Sequence, residues 1–269
     1  MPCGLRFTKT EGLWDIKEIG SGSLYMNRYY YDFHIHSCLS PCGDNDMTPN
    51  NIAGMATLCE LNIVALTDHN SCKNCPAFYK AARRNGIIPI AGMELTTAED
   101  IHVVCLFEKL EGAMAFDEEI CSRRILIENN ERIFGQQLIL DENDKQIGTE
   151  PYLLINATDI SLEEVPDIVA KYDGVCFPAH IDRDSNGVIA TLGTFPEMPY
   201  FGIAELRDIE KLPELREKFP ILEGKLITAG SDAHYLTGMR DKNMYFDLDD
   251  EPFSSDKVRS SLFALLRGQ

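Results

Sequence analysis

The chain has 269 residues, of which 44% are hydrophobic, so it is long enough to bury the core of one large domain. It carries 43 Asp and Glu against 25 Lys and Arg, a net charge of −18, which argues against a long duplex DNA partner because duplex binding normally needs a basic stripe. We expect no membrane span, no secretory signal at the start of the chain, and nine reduced cysteines in the cytoplasm.

Short apolar segments alternate with helical patterns along most of the chain. Thr48-Pro49 opens one predicted helix, a second runs from about Pro76 to Gly86, a third starts at the capping box of Ser161, and a fourth covers residues 256–266. Alternation of strands and helices predicts a parallel α/β arrangement. The predicted strands cover residues 29–33, 63–66, 87–91, 102–107, 174–177, 202–206 and 225–229.

The charge-rich stretch 108–151 breaks this rhythm. We expect a helix followed by a β-hairpin there, which form an inserted subdomain that partly covers the functional site. The alternative is a solvent-exposed segment without function. We therefore divide the chain into an N-terminal segment (1–28), a catalytic barrel (29–107 and 152–269) and the insert (108–151).

All six histidines lie in short motifs of metal-site character, and most of these motifs adjoin a predicted strand. Imidazole and carboxylate groups are the usual ligands of borderline divalent ions. In His34-Ile35-His36 both side chains point to one face of an extended segment, and Asp232-Ala233-His234 repeats that geometry. Glu94, just beyond an apolar strand, is placed to bridge two ions. The pattern predicts a polynuclear metal site at one end of the sheet.

These motifs resemble those of the PHP-domain (polymerase and histidinol phosphatase) metal-dependent phosphoesterases. The family order is preserved over most of residues 29–240, apart from the insert. The resemblance implies a distorted (β/α)7 barrel with its site at the C-terminal ends of the strands. It is carried by Asp32-Phe33-His34-Ile35-His36-Ser37, Thr67-Asp68-His69, Gly92-Met93-Glu94, Ile101-His102-Val103, Pro178-Ala179-His180 and Gly230-Ser231-Asp232-Ala233-His234.

The resemblance also implies two to three divalent metals, which are Mn, Fe or Zn. The third site needs one more ligand from the loop Ser37-Cys38-Leu39-Ser40-Pro41-Cys42-Gly43-Asp44, where the chain departs from the usual Ser-Asp-Gly of the family. We choose Asp44; Cys42, or no ligand at all, are the alternatives. The implied sets are His34, His36, Glu94 and Asp232 for the first metal, Glu94, His102 and His180 for the second, and His69 and His234 with the loop ligand for the third.

Four further roles are predicted around these ligands. Asp68 orients a ligand or water, or else only caps a strand end. Arg183 binds phosphate oxygens, with a salt bridge to Asp182 or Asp184 as the alternative, and Arg240 is a weaker candidate of the same kind. His180 or His234 protonates the leaving oxygen.

Two cysteine pairs, Cys38/Cys42 and Cys72/Cys75, follow ligand motifs closely. They could form a second zinc site or redox pairs, but ordinary reduced thiols are the preferred interpretation.

The implied activity is hydrolysis of a small phosphorylated substrate by a metal-activated hydroxide. Because the 108–151 insert resembles that of family members acting on nucleoside 3′,5′-bisphosphates and short RNA 5′ ends, we place that class first and allow short single-stranded RNA as a partner. The alternatives are a histidinol-phosphate-type phosphatase, a non-catalytic metal-binding PHP module, or an amidohydrolase-type enzyme that cuts C–N bonds.

Overall fold

The computed structural model describes residues 6–10, 13–17 and 26–268. Of the predicted N-terminal segment, residues 1–5, 11–12 and 18–25 lie outside the described residues. The described parts of it include a two-stranded antiparallel hairpin of β1 (Arg6–Thr10) and β2 (Leu13–Lys17).

A curled, half-barrel sheet forms the centre of the fold, and each of the seven predicted strands is present in it or beside it. The order of the main sheet is β12-β3-β4-β5-β6-β9, and β10 pairs with β11 in a separate parallel pair. The strands are β3 (Met26–Asp32), β4 (Ile63–Leu66), β5 (Ile88–Thr96), β6 (His102–Phe107), β7 (Leu138–Leu140), β8 (Gln146–Thr149), β9 (Gly174–Pro178), β10 (Ile203–Leu206), β11 (Leu226–Ala229) and β12 (Tyr245–Asp249).

The sheet is mixed, so the predicted parallel arrangement holds for only part of it. Strands β3, β4 and β5 are parallel, but β6 runs antiparallel to both β5 and β9. The physical reason is the short connection between β5 and β6, which returns the chain directly and leaves no room for a crossover helix. A bridge between Ile35 and Ala233 brings the residues after β3 beside those after β11. The strand count of a (β/α)7 barrel stays a prediction.

Helices pack around this sheet and cover its core. Thr48 caps α1 by accepting a hydrogen bond from the Asn51 N–H, as its position before Pro49 predicts. The predicted third helix is shorter than expected, because the Ser161–Glu164 capping box forms a turn that precedes it. The helices are α1 (Pro49–Leu58), α2 (Cys75–Arg84), α3 (Leu110–Arg123), α4 (Glu131–Phe134), α5 (Val165–Ala170), α6 (Val188–Leu192), α7 (Leu212–Lys218) and α8 (Ser255–Leu266).

The stretch 108–151 contains the expected helix and hairpin, here α3 with the short α4 and the β7–β8 pair. Helix α3 buries Ala113, Phe116 and Ile120 in the same core as the sheet. The hairpin meets the loop after β3, since the Leu138 N–H donates to the Cys38 carbonyl at 3.0 Å. The division of the chain into a barrel and an inserted subdomain stays a prediction.

Among the described residues, no helix has the length and apolar character needed to cross a membrane.

Candidate metal centre

The predicted ligands converge at one edge of the sheet although they come from six separate strands. His34 and His36 follow β3, His69 follows β4, and Glu94 lies within β5. Parallel strands present their carboxyl ends at one edge, and the antiparallel β6 brings its first residue, His102, to the same edge. His180 follows β9, and Asp232 and His234 follow β11.

Glu94 lies at the centre of the cluster and contacts five imidazoles. Its Oε1 lies 3.1 Å from His34 Nε2, 2.8 Å from His102 Nδ1 and 3.0 Å from His180 Nε2. Its Oε2 lies 3.3 Å from His36 Nε2 and 3.0 Å from His69 Nδ1. Because the two oxygens face two different sets of rings, the carboxylate is placed to bridge two ions.

Asp232, which follows β11, extends the cluster with a second carboxylate. Its Oδ1 lies 3.3 Å from His36 Nε2 and 3.7 Å from His34 Nε2, while the Asp232 carbonyl accepts a hydrogen bond from His234 Nδ1 at 2.8 Å. The backbone at His180 and Asp232 has φ of 29° and 52°, in the left-handed region that non-glycine residues seldom occupy. Such strain at two clustered polar residues is typical of functional sites.

A buried carboxylate, Glu205, orients His34. His34 Nδ1 lies 2.7 Å from Glu205 Oε1, and both side chains are almost completely buried. Nδ1 therefore carries the proton, which leaves Nε2 free toward the cluster. Gly230 makes this contact possible, because a Cβ there would lie 2.5 Å from Glu205 Oε2 and 2.6 Å from His34 Cβ.

His36 is oriented in the same way through Ser40 and Asp68. The Ser40 hydroxyl donates to Asp68 Oδ1 at 2.7 Å, so its oxygen is left to accept from His36 Nδ1 at 3.1 Å. Asp68 also accepts from the N–H and the hydroxyl of Ser37. Asp68 thus contacts the His36 ligand through one intervening hydroxyl, which supports the predicted orienting role; the strand-end cap is present as well.

The electrostatics of the cluster favour a cation. Burial lowers the pKa of His36, but hydrogen bonds to Asp232 and Glu94 more than offset this and raise the pKa to about 9. Burial, followed by the charge of His36, lowers the pKa of His234 to about 4. The carboxylates therefore favour one positive charge at His36, and that charge disfavours a second one at His234.

Several buried polar atoms have no hydrogen-bond partner among the described residues, among them Glu94 Oε2, His69 Nδ1 and His180 Nδ1. A buried polar atom without a partner costs roughly 1–3 kcal/mol, and this cost is removed if an ion takes the place of a donor. Three groups of donor atoms lie close enough together to hold ions, and their chemistry fits divalent metals. The groups are His34, His36 and Asp232; His69, Glu94 and His102; and His36, Cys42, His69 and His234.

The structure places the two candidate loop ligands differently. The Cys42 thiol lies among a group of donors, with all four ligand atoms within 4.8 Å of one another, and Asp44 belongs to no such group among the described residues. The Asp44 carboxylate accepts the Asp46 N–H at 2.8 Å, while its own N–H donates to the His234 carbonyl. Asp44 as the loop ligand stays a prediction. The grouping of ligands into a first, second and third metal stays a prediction.

A cavity of about 760 Å³ is lined by two arginines that contact Asp232. Arg183 Nη1 lies 2.7 Å from Asp232 Oδ2, so neither predicted salt-bridge partner, Asp182 or Asp184, is the one observed. Arg207 Nη1 reaches the same oxygen at 3.8 Å, and Arg240 also lines the cavity. Arg183 and Arg207 therefore link the cavity to a candidate metal ligand.

The remaining cysteines lie apart from the donors. Cys72 and Cys75 are buried, and their thiols donate to backbone carbonyls, including that of Gly92. Within the described part of the chain, neither they nor Cys38 joins a group of donors able to hold a metal. The preferred interpretation of these as reduced thiols fits this placement, and a four-cysteine site has no support.

Sequence reasoning missed Glu205, Ser40 and Arg207. Glu205 lies inside an apolar strand, and a lone carboxylate in such a run was a usable signal. Arg207 follows the end of that same strand. A polar residue just after a strand end was the signal from which the metal ligands were predicted, so it could have been applied to Arg207 as well. Ser40 has no such signal, because a serine in a loop is common.

Comparison with known proteins finds a domain match that covers part of this geometry. The sequence profile of the PHP domain matches residues 32–150. No curated protein sequence matches the chain. The fold is similar to the lesion-specific endonuclease EndoQ of Pyrococcus furiosus, with a TM-score of 0.61 and 17% identity over 90% of this chain and 56% of that one. A protein of Bifidobacterium adolescentis assigned as a metal-dependent phosphoesterase has a TM-score of 0.55 and 18% identity, over 86% of this chain and 95% of that one.

A structure of endonuclease Q holds a 27-mer duplex substrate with an abasic lesion at its active site, and it matches this chain with a TM-score of 0.59 and 18% identity. Our exclusion of duplex DNA is therefore wrong. The reason is that net charge sums the whole surface, whereas a bound strand responds to the local field of the site. This chain spans a little over half of the endonuclease Q chains, at 56% and 57%.

The match to the profile leads to one conclusion: the chain carries a PHP domain over residues 32–150.

Proposed function

We propose that this chain is a metal-dependent phosphoesterase that acts on a nucleotide phosphate. One observation carries the proposal: the candidate metal ligand Asp232 faces His34 and His36 with one oxygen and Arg183 with the other. A phosphoryl group beside Asp232 would meet metal charge on one side and a guanidinium on the other, which is the arrangement that phosphoryl transfer requires.

The ligands in this proposal are His34, His36, His69, Glu94, His102, His180, Asp232 and His234, with Cys42 in place of Asp44. Divalent ions bound there would supply a hydroxide nucleophile at neutral pH and offset charge on the phosphoryl oxygens. Water adds to phosphorus, the P–O ester bond breaks, and the leaving oxygen takes a proton. With a pKa of about 4, His234 is neutral at pH 7 and suits a ligand role better than the predicted acid role.

The cavity supports a substrate larger than a simple phosphate monoester. Its lining carries four cations, Arg183, Arg207, Lys211 and Arg240, beside four carboxylates, Asp182, Asp184, Asp208 and Glu210. Its volume of about 760 Å³ falls in the range of sites for molecules of drug or nucleotide size. Lys211 Nζ lies 3.6 Å from Asp182 Oδ2, so the three guanidinium groups are the cations that suit a substrate with more than one phosphate, such as a nucleoside 3′,5′-bisphosphate or the 5′ end of a nucleic acid.

We also propose that residues 108–151 form a unit bordering the site. The support is the contact of its hairpin with two neighbouring loops. The Leu138 N–H donates to the Cys38 carbonyl in the loop after β3, and Asn74, in the loop before α2, donates to the Leu138 carbonyl and accepts from the Leu140 N–H. Movement of this unit would therefore be transmitted to the loop that carries Ser40 and Cys42.

The test is a phosphate-release and cleavage panel with Mn²⁺. Its substrates are nucleoside 3′,5′-bisphosphates, short single-stranded RNA, histidinol phosphate, and a duplex with an abasic lesion. We expect turnover of a nucleotide or nucleic-acid substrate that is lost in His34→Ala. Turnover of histidinol phosphate alone would favour the second phosphatase class, and a metal-loaded protein that cleaves none of them would overturn the proposal.

A further inference from the structure

Cys42 lies within a compact set of four metal-binding side chains in the loop after β3. His36, His69 and His234 surround it, and the four donor atoms lie within 4.8 Å of one another. The ring of His36 lies 4.6 Å from that of His69 and 4.4 Å from that of His234, measured between centroids. Three imidazoles and one thiol at this separation match the composition of a tetrahedral zinc site.

The imidazoles present nitrogens toward the cluster. His36 and His234 each use Nδ1 in a hydrogen bond, to Ser40 and to the Asp232 carbonyl, so their Nε2 atoms are the candidate donors. His36 Nε2 lies 3.3 Å from both Glu94 Oε2 and Asp232 Oδ1, so an ion there would replace contacts between the ring and these carboxylates. His69 is 2% exposed, and its Nδ1 lies 3.0 Å from Glu94 Oε2, although neither atom makes a hydrogen bond among the described residues. Two buried polar atoms that face each other without a hydrogen bond are a sign of a missing ligand at this place.

The loop backbone holds Cys42 in position. The Gly43 N–H donates to the Ser40 carbonyl, and the Asp44 N–H donates to the His234 carbonyl at 2.8 Å, which ties both ends of the turn to the cluster. Gly43 admits no side chain, because a Cβ there would lie 2.3 Å from the Ser37 carbonyl oxygen. The turn is therefore tight, and it brings Cys42, but not Asp44, into a group of donors with the histidines.

We propose that Cys42 is a thiolate ligand of a metal held with His36, His69 and His234, and that this position selects Zn²⁺, Fe²⁺ or Co²⁺ over Mn²⁺. On binding, the thiol proton is released to solvent and a sulfur–metal bond forms. A soft sulfur donor favours these borderline ions, whereas the two donor groups that each contain one carboxylate, Asp232 or Glu94, and no thiol accept harder ones. The chain would then hold a site with a metal preference different from that of its neighbours.

Cobalt provides a direct test, because a thiolate ligand gives Co²⁺ a charge-transfer absorption in the near ultraviolet that nitrogen and oxygen ligands do not. Metal-free protein is titrated with Co²⁺ for the wild type and for Cys42→Ser. Cys38→Ser is the matched control, since this buried thiol belongs to the same loop and lies outside the cluster; Cys121→Ser controls for the exposed thiol. We expect the band in the wild type and both controls, its displacement by Zn²⁺, and its loss in Cys42→Ser.

A wild type that binds cobalt without the band, or a Cys42→Ser variant that keeps it, would overturn the inference. Should the variant fail to fold, alkylation of wild-type Cys42 by iodoacetamide, located by mass spectrometry, decides instead. Zinc should protect Cys42, and equal labelling with and without zinc would refute its role as a ligand. Neither the cobalt band nor the alkylation of Cys42 depends on turnover. A chain that hydrolyses no phosphoester can therefore still show the thiolate site, and an active chain can lack the thiolate site.

Discussion

Replacing Glu205 by Gln should weaken metal binding without unfolding the chain. Glu205 Oε1 lies 2.7 Å from His34 Nδ1, and both groups are buried, with 1% and 0% of their side chains exposed. A carboxylate in this place holds the proton on Nδ1 and makes Nε2 a better electron donor to a cation. The neutral amide of Gln can still accept the hydrogen bond, but it removes the charge.

The size of the effect follows from the geometry. A buried hydrogen bond to a charged group contributes about 1.5–3 kcal/mol, and about 1.4 kcal/mol corresponds to a factor of ten in an equilibrium constant. Metal affinity should therefore fall by roughly 10- to 100-fold, the usual cost of removing a carboxylate behind a ligand histidine. Glu205 Oε2 has no hydrogen-bond partner among the described residues, so the new NH2 group adds a further unpaired donor.

The assay is competition for Zn²⁺ or Mn²⁺ against a fluorescent chelator, together with kcat/KM on the best phosphoester. Glu217→Gln, at an exposed position of α7, makes the same charge change far from the cluster and is the matched control. The unfolding midpoint of the metal-free proteins distinguishes loss of fold from loss of orientation. Metal affinity of Glu205→Gln within about threefold of the control would refute the argument.

Three further outcomes are expected. His34→Ala and Asp232→Ala should each abolish phosphoesterase activity while circular dichroism shows a folded chain, since each removes a metal ligand; activity within about tenfold of wild type would contradict the assignment. Elemental analysis after purification with Mn²⁺ and Zn²⁺ should find at least two metals per chain, and less than about one would count against the cluster. Asp68→Ala should lower the free energy of unfolding by about 2–4 kcal/mol, measured with denaturant. The reason is that the Ser37 N–H and the Ser37 and Ser40 hydroxyls lose their acceptor. An unchanged unfolding midpoint would show that these hydrogen bonds contribute little.

Features with a local cause were predictable from the sequence. Apolar runs placed all seven strands, and the face of α8 that carries Val258, Leu262, Phe263 and Leu266 is buried as its spacing predicts. The convergence of the histidines also followed from the chain, because strand ends in a sheet of this class meet at one edge. The PHP domain was identified from these motifs, and its profile match confirms it.

Only the tertiary structure decided the features that depend on contacts between distant residues or on the exact path of the backbone. Glu205 meets His34 across 171 positions of sequence, so a lone carboxylate in an apolar strand marks Glu205 as unusual but does not reveal its partner. The choice between Cys42 and Asp44 depends on a turn pinned by Gly43 and the His234 carbonyl, which spacing alone does not specify. The net charge misled for a related reason. It is a sum over all residues, whereas binding responds to the local field, here where Arg183 and Arg207 lie beside the candidate ligand Asp232.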